Sequence, residues 1–81
     1  MRFQKKPIVV EAEQFLGFYH TPWPAGVEVD QSVDGGTTLC VTTTHGQKTR
    51  VESGDWIIAE PDGNGFYPCK PHIFKDVYEP C

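Results

Sequence analysis

The chain has 81 residues, which is enough for a single domain spanning 1–81 with a small hydrophobic core. Its hydrophobic content of 38% argues against disorder, and its formal net charge of −4 argues against general binding to the phosphate backbone of nucleic acids. No stretch approaches the roughly 20 apolar residues of a membrane span, and no signal peptide is recognisable. The cysteine count of three is odd, which predicts reduced thiols in a cytoplasmic protein.

The first predicted strand covers residues 7–15. Ile8, Val10 and Ala12 alternate with residues that include two glutamates, so the first set should face the core while the other side stays in water. The segment that follows should be irregular, because two prolines bracket Trp23. We expect Trp23 to close one end of the core; the alternative is an exposed aromatic anchor for a partner protein.

The middle of the chain predicts a run of short strands. Residues 27–30 alternate between valine and acidic side chains, which indicates a brief strand with one wet face. Residues 37–44 and 47–51 are separated by His45-Gly46 and predict the clearest hairpin in the chain.

A turn at residues 53–55 comes before the most hydrophobic predicted strand, residues 56–60. Gly54 should take a positive φ, and the Asp55 side chain should cap the turn by accepting a backbone N–H. The alternative for Asp55 is a hydrogen-bond acceptor for a ligand.

The last part of the chain is predicted to contain a strand, a helical turn and a final strand. Residues 66–67 continue the meander, and the prolines that follow should break it. Pro71 is well placed to start a single helical turn through Phe74. Residues 76–79 should then return as a last strand.

Turn signals recur roughly every 8–12 residues, which is typical of an antiparallel β fold. We therefore predict a mainly β domain, a small antiparallel meander that forms a partly open barrel or a sandwich, with one short helical turn near the C-terminus. Unpaired strand edges invite aggregation, so we expect the first strand to pair with Val77, Tyr78 and Glu79 and close the sheet.

Two sequence motifs carry a resemblance to a known family. The first is FQKKPIVVEA at residues 3–12 with QF at 14–15. The second comprises GDWII at 54–58, G at 65, YPCKP at 67–71, IF at 73–74 and YE at 78–79. Together they resemble a widespread family of short phage and prophage proteins. The resemblance implies a phage context and no particular reaction. His72 stands where that family often has aspartate, and residues 17–36 do not match it.

Cys69 and His72 are the best candidates for metal-binding or catalytic residues. Their spacing provides two metal ligands, but a structural zinc site needs four that converge, so we predict no metal site and no cofactor. A weaker alternative is a catalytic pair in which Lys70 lowers the pKa of the Cys69 thiol. Because no third orienting group is visible, we predict a protein without catalytic residues.

A binding surface is the stronger prediction. Tyr67, Lys70 and His72 share one loop bracketed by prolines, and Lys5 and Lys6 would approach it if the first strand ran beside the last. Such a group would form a positive patch on an acidic protein, suited to a small anionic ligand or to an acidic surface of a partner.

These features give three functional hypotheses. The leading one is a phage accessory protein that docks a host protein in the host cytoplasm. The second is a protein that binds or sequesters a nucleotide-like small molecule, with a site shared between the subunits of a homo-oligomer. The third, and weakest, is an enzyme that depends on Cys69 and His72.

Overall fold

The computed structural model of the protein describes residues 1–3, 9–32, 35, 38–61 and 63–79. Over these residues the chain forms six short strands and one helix. In chain order they are β1 (Ala12–Gln14), β2 (Glu28–Val29), β3 (Leu39–Thr42), β4 (Lys48–Arg50), β5 (Trp56–Ala59), β6 (Phe66–Cys69) and α1 (Pro71–Val77).

The strands form two antiparallel sheets of three strands each. Sheet A has the order β1-β5-β6, and sheet B has the order β2-β3-β4. The predicted hairpin is confirmed as β3 and β4, in which Val41 lies opposite Thr49. The mainly β class and the short helix near the C-terminus are therefore confirmed, and the sheets do not close into a barrel.

The main core lies between the two sheets. Leu39 and Val41, two residues apart on β3, meet Ile57 of β5 there, because alternate residues of a strand face the same side. Phe15 and Val51 complete this cluster, and all five side chains are at least 95% buried. The core is small, as the length of the chain requires.

Strand β5 is covered on both of its faces. Ile57 belongs to the core between the sheets, while Ile58 is also fully buried and points to the opposite face with Trp56. Helix α1 contacts that second face at Trp56, where the ring of Phe74 stacks with 4.4 Å between centroids. The continuous apolar run of β5 fits its position as the middle strand of sheet A, with Ile57 and Ile58 buried on opposite faces.

The predicted pairing of the first strand with the C-terminus is wrong. Strand β1 pairs with β5, and Ala12 lies opposite Ile58. Val77 is the last residue of α1, and Tyr78 is its extended C-cap. Residues 71–77 form a helix because Phe74 and Tyr78, one turn apart, can then both cover the outer face of sheet A.

Two predicted boundaries also change. Strand β1 covers Ala12–Gln14 of the predicted residues 7–15, and the part at 7–8 lies outside the described residues. Strand β6 continues through Pro68 and Cys69, where a break was predicted. Pro68 is tolerated because β6 is the edge of sheet A and has a hydrogen-bonded neighbour on one side alone among the described strands.

Candidate functional site

The last three pieces of the chain form one unit, which we call the C-terminal clasp: β6, Lys70 and α1. Lys70 connects the strand to the helix, and its Nζ lies 3.1 Å from Asp55 Oδ1 and 3.3 Å from Glu52 Oε2. The clasp is therefore tied at its midpoint to the turn that precedes β5.

Asp55 is the centre of this attachment. It is 2% exposed, and its Oδ2 accepts a hydrogen bond of 2.9 Å from the backbone N–H of Glu52. The predicted capping role of Asp55 is confirmed, as is the positive φ of Gly54, at +97°. The sequence did not predict that the same carboxylate also binds Lys70.

The ammonium group of Lys70 is held by two carboxylates. Hydrogen bonds to Asp55, and then to Glu52, raise the pKa of Lys70 above its ordinary value. The charge of Lys70 is therefore compensated locally, and Lys70 supplies no surplus positive charge for an anionic ligand. His72 is exposed in the first turn of α1, whereas Lys5 and Lys6 lie outside the described residues.

Tyr67 is a structural part of the clasp. It is half-buried, and its hydroxyl lies 3.2 Å from the hydroxyl of Tyr78. Burial, and next the hydrogen bond to Tyr78, raise the pKa of the Tyr67 phenol. The ring of Tyr78 in turn stacks on Phe74 with 4.9 Å between centroids, so Phe74 is held between Tyr78 and Trp56.

Trp23 belongs to a different part of the molecule. It is half-buried against the core between the sheets, and its Nε1 donates a hydrogen bond of 2.9 Å to the carbonyl of Phe18. This arrangement agrees with the predicted lid on the core. Of the predicted binding residues, the structure brings Tyr67, Lys70 and His72 together on the clasp and places Trp23 apart from them.

The clasp also exposes two apolar residues that the sequence analysis missed. Ile73 is 46% exposed and Val77 is 66% exposed. They are four residues apart on α1 and therefore lie side by side on one face of the helix. We call this pair the outer ridge. The sequence does contain a signal for this surface. Ile73 and Val77 are four residues apart, as are Phe74 and Tyr78, which is the spacing of neighbours on a helix.

The surroundings of Cys69 disfavour its thiolate form. Its Sγ donates to the carbonyl of Lys70 at 3.7 Å, and burial, with a further contribution from the charge of Asp55, raises the pKa of the thiol. The expectation that Lys70 would lower this pKa is wrong, because the ammonium group is engaged by Asp55 and Glu52.

We expect Cys69 to react with iodoacetamide at pH 8 more slowly in the folded protein than in urea. A raised pKa leaves less thiolate, which is the reactive form. Mass spectrometry of the digested protein gives the rate at Cys69 separately from that at the buried Cys40. A folded-state rate at Cys69 equal to or above the rate in urea would contradict this result.

The fold and site together define a two-sheet β domain closed on one side by a helical clasp. No family model, curated protein or solved structure matches the chain. Within the described part of the chain, no three His, Cys, Asp or Glu side chains are grouped to hold a metal ion. Nor does that part contain a helix of the length and hydrophobicity needed to cross a membrane.

Proposed function

We propose that this protein is a small phage or prophage accessory protein that binds a host protein through the outer ridge, without catalysis. The observation that carries the proposal is the exposure of Ile73 and Val77, side by side on a helix whose Phe74 packs on Trp56. Contiguous apolar side chains on a surface can mark the place that a partner covers.

The outer ridge is supported by a rigid base. Phe74 is stacked between Trp56 and Tyr78, and Lys70 ties the start of α1 to Asp55. Binding through a preorganised helix avoids most of the entropy cost of ordering a flexible segment. A short helix held in this way suits an apolar cleft on a partner, in which the two ridge side chains act as anchors.

The phage context rests on the two sequence motifs. The residues of the second motif build the clasp: Asp55 and Lys70 form the attachment, and Trp56 and Phe74 form the stack. The motif therefore specifies a scaffold that presents the helix. Of the two ridge residues, Ile73 belongs to the motif and Val77 lies outside it.

The test is the double variant Ile73→Lys with Val77→Lys. Tagged wild-type protein is incubated with host lysate, the enriched protein is identified and purified, and its Kd is measured for both forms. Loss of central apolar anchors typically costs 2 kcal/mol or more, so we expect affinity to fall by about thirtyfold or more.

The matched control is Asp76→Lys, which changes the charge of the same helix at another exposed position. It should keep wild-type affinity, and circular dichroism should show all three forms folded. A partner that binds the ridge double variant as well as wild type would refute the proposal, as would a host lysate without a specific partner.

The nucleotide-like ligand remains the alternative at Tyr67, Lys70 and His72. Lys70 is already paired with two carboxylates, and the Tyr67 hydroxyl contacts Tyr78, which makes this surface less suited to an anion. A rise in melting temperature with any member of a nucleotide panel would favour this alternative, since a ligand that binds the native state stabilises it.

A further inference from the structure

Strand β1 forms an edge of sheet A. The carbonyl of Glu11 accepts a hydrogen bond of 2.9 Å from the N–H of Ala59, on the side that faces β5. Backbone groups of successive residues in a strand point to opposite sides, so the N–H and C=O groups of Ala12 and Gln14 point away from β5. Among the described residues, no strand pairs with β1 on that outer side.

A shallow groove of about 220 Å³ lies beside this edge. Its lining includes Glu11 and Glu13 of β1, Pro24, and the apolar side chains of Ile57, Ala59 and Phe66. Glu13 lies opposite Ile57 in the register and shares its face, and both glutamates are exposed. The groove thus combines apolar lining with two negative charges on one rim.

We propose that the outer edge of β1 binds an extended segment of a partner protein that carries lysine or arginine at alternate positions. The segment would add to sheet A as a strand, with backbone hydrogen bonds to Ala12 and Gln14. Its basic side chains would lie on the face of Glu11 and Glu13, because alternate residues of neighbouring strands share a face. The intervening side chains would lie on the other face beside Ala12, which favours small apolar residues there.

Charge selects a basic partner over a second copy of this chain. In the fully overlapped antiparallel pairing of two β1 strands, Glu13 of one copy lies opposite Glu13 of the other, and like charges opposed across strands are destabilising. The net charge of −4 further attracts a basic segment and repels another copy.

The probe is a ten-residue peptide of alternating lysine and valine, labelled for fluorescence anisotropy with the full chain. We expect it to bind about tenfold more tightly than an alternating glutamate-valine peptide, and the preference to shrink as salt is raised. The double variant Glu11→Lys with Glu13→Lys should reverse the preference. The matched control, Asp76→Lys with Glu79→Lys, changes the net charge equally at the end of α1 and just after it, and should keep the wild-type preference for the lysine peptide.

A second probe tests strand addition itself. The same peptide with N-methyl groups on alternate residues cannot donate hydrogen bonds along one edge, and of the two possible methylation patterns one should abolish binding. Equal binding of both methylated forms, no binding of the unmethylated peptide, or a dimer of the protein that buries β1 would each overturn the proposal. The ridge variant Ile73→Lys with Val77→Lys should bind the peptide normally, which separates this surface from the one on α1.

Discussion

Replacing Ile58 with alanine should lower the free energy of unfolding by about 2–5 kcal/mol. Ile58 is fully buried, on the face of β5 that it shares with Trp56, so the missing atoms leave a cavity in the packed interior. This is a large share of the total stability expected for a domain, about 5–15 kcal/mol. Urea unfolding followed by far-UV circular dichroism measures the change.

Two further variants locate the effect. Ile57→Ala should also be costly, because Ile57 is buried between the two sheets. Near-UV circular dichroism should distinguish the two, since Ile58 shares the face of β5 with Trp56, on which Phe74 stacks, whereas Ile57 lies on the other face. Ile73→Ala is the matched control on an exposed surface, expected within about 0.5 kcal/mol of wild type. An Ile58→Ala protein as stable as this control would refute the burial of Ile58 in the packed interior.

Replacing Asp55 with alanine should lower the free energy of unfolding by about 1–3 kcal/mol. The change leaves the backbone N–H of Glu52 without its acceptor and removes the anion that holds Lys70. The clasp would then lose the link between its midpoint and the turn before β5. Thermal and urea unfolding of the variant measure the loss.

Asp55→Asn separates the two contributions. Asparagine can still accept the hydrogen bond from Glu52, but it carries no charge for Lys70, so its cost should be much smaller than that of alanine. Lys70→Ala should cost more than Asp55→Asn, because it leaves the buried carboxylate of Asp55 charged and without its cation. If Asp55→Asn and Asp55→Ala were equally destabilising, the ion pair and not the turn would be the main contribution of this carboxylate.

The sequence predicts those elements whose signals are local. The hairpin of β3 and β4 follows from its β-branched residues around His45-Gly46, and β5 follows from its apolar run. The turn at Gly54 is equally local, since a positive φ and a capping carboxylate depend on neighbouring residues. These predictions are confirmed because the conformation of each segment depends mainly on its own residues and little on contacts with distant parts of the chain.

The end of the chain could not be predicted in the same way. The sequence of residues 71–79 fits both a strand pattern and a helix with Phe74 and Tyr78 one turn apart. Trp56 favours the helix, because its ring provides a surface on which Phe74 of the helix stacks. Tertiary contact therefore decides the element, and propensity within the segment does not.

The candidate site has the same limitation. Lys70 was predicted as a binding cation, and its carboxylate partner Glu52 lies 18 residues earlier in the chain. Nothing in the local sequence reveals that pairing. The outer ridge became visible once α1 was known to be a helix, because Ile73 and Val77 are neighbours in a helix and belong to different faces in an extended strand.

The pairing of β1 with β5 has a consequence for the order of folding. The side chain of Gln14 bonds the carbonyl of Gly54, 40 residues away in the chain, whereas β3 and β4 are joined by a tight turn. Closing the longer loop costs more chain entropy, so sheet B should form early and β1 should join late. By the same argument β1 should detach before the hairpin of β3 and β4 opens. A partner strand added to the outer edge of β1 would make β1 an interior strand of sheet A and slow its detachment from β5.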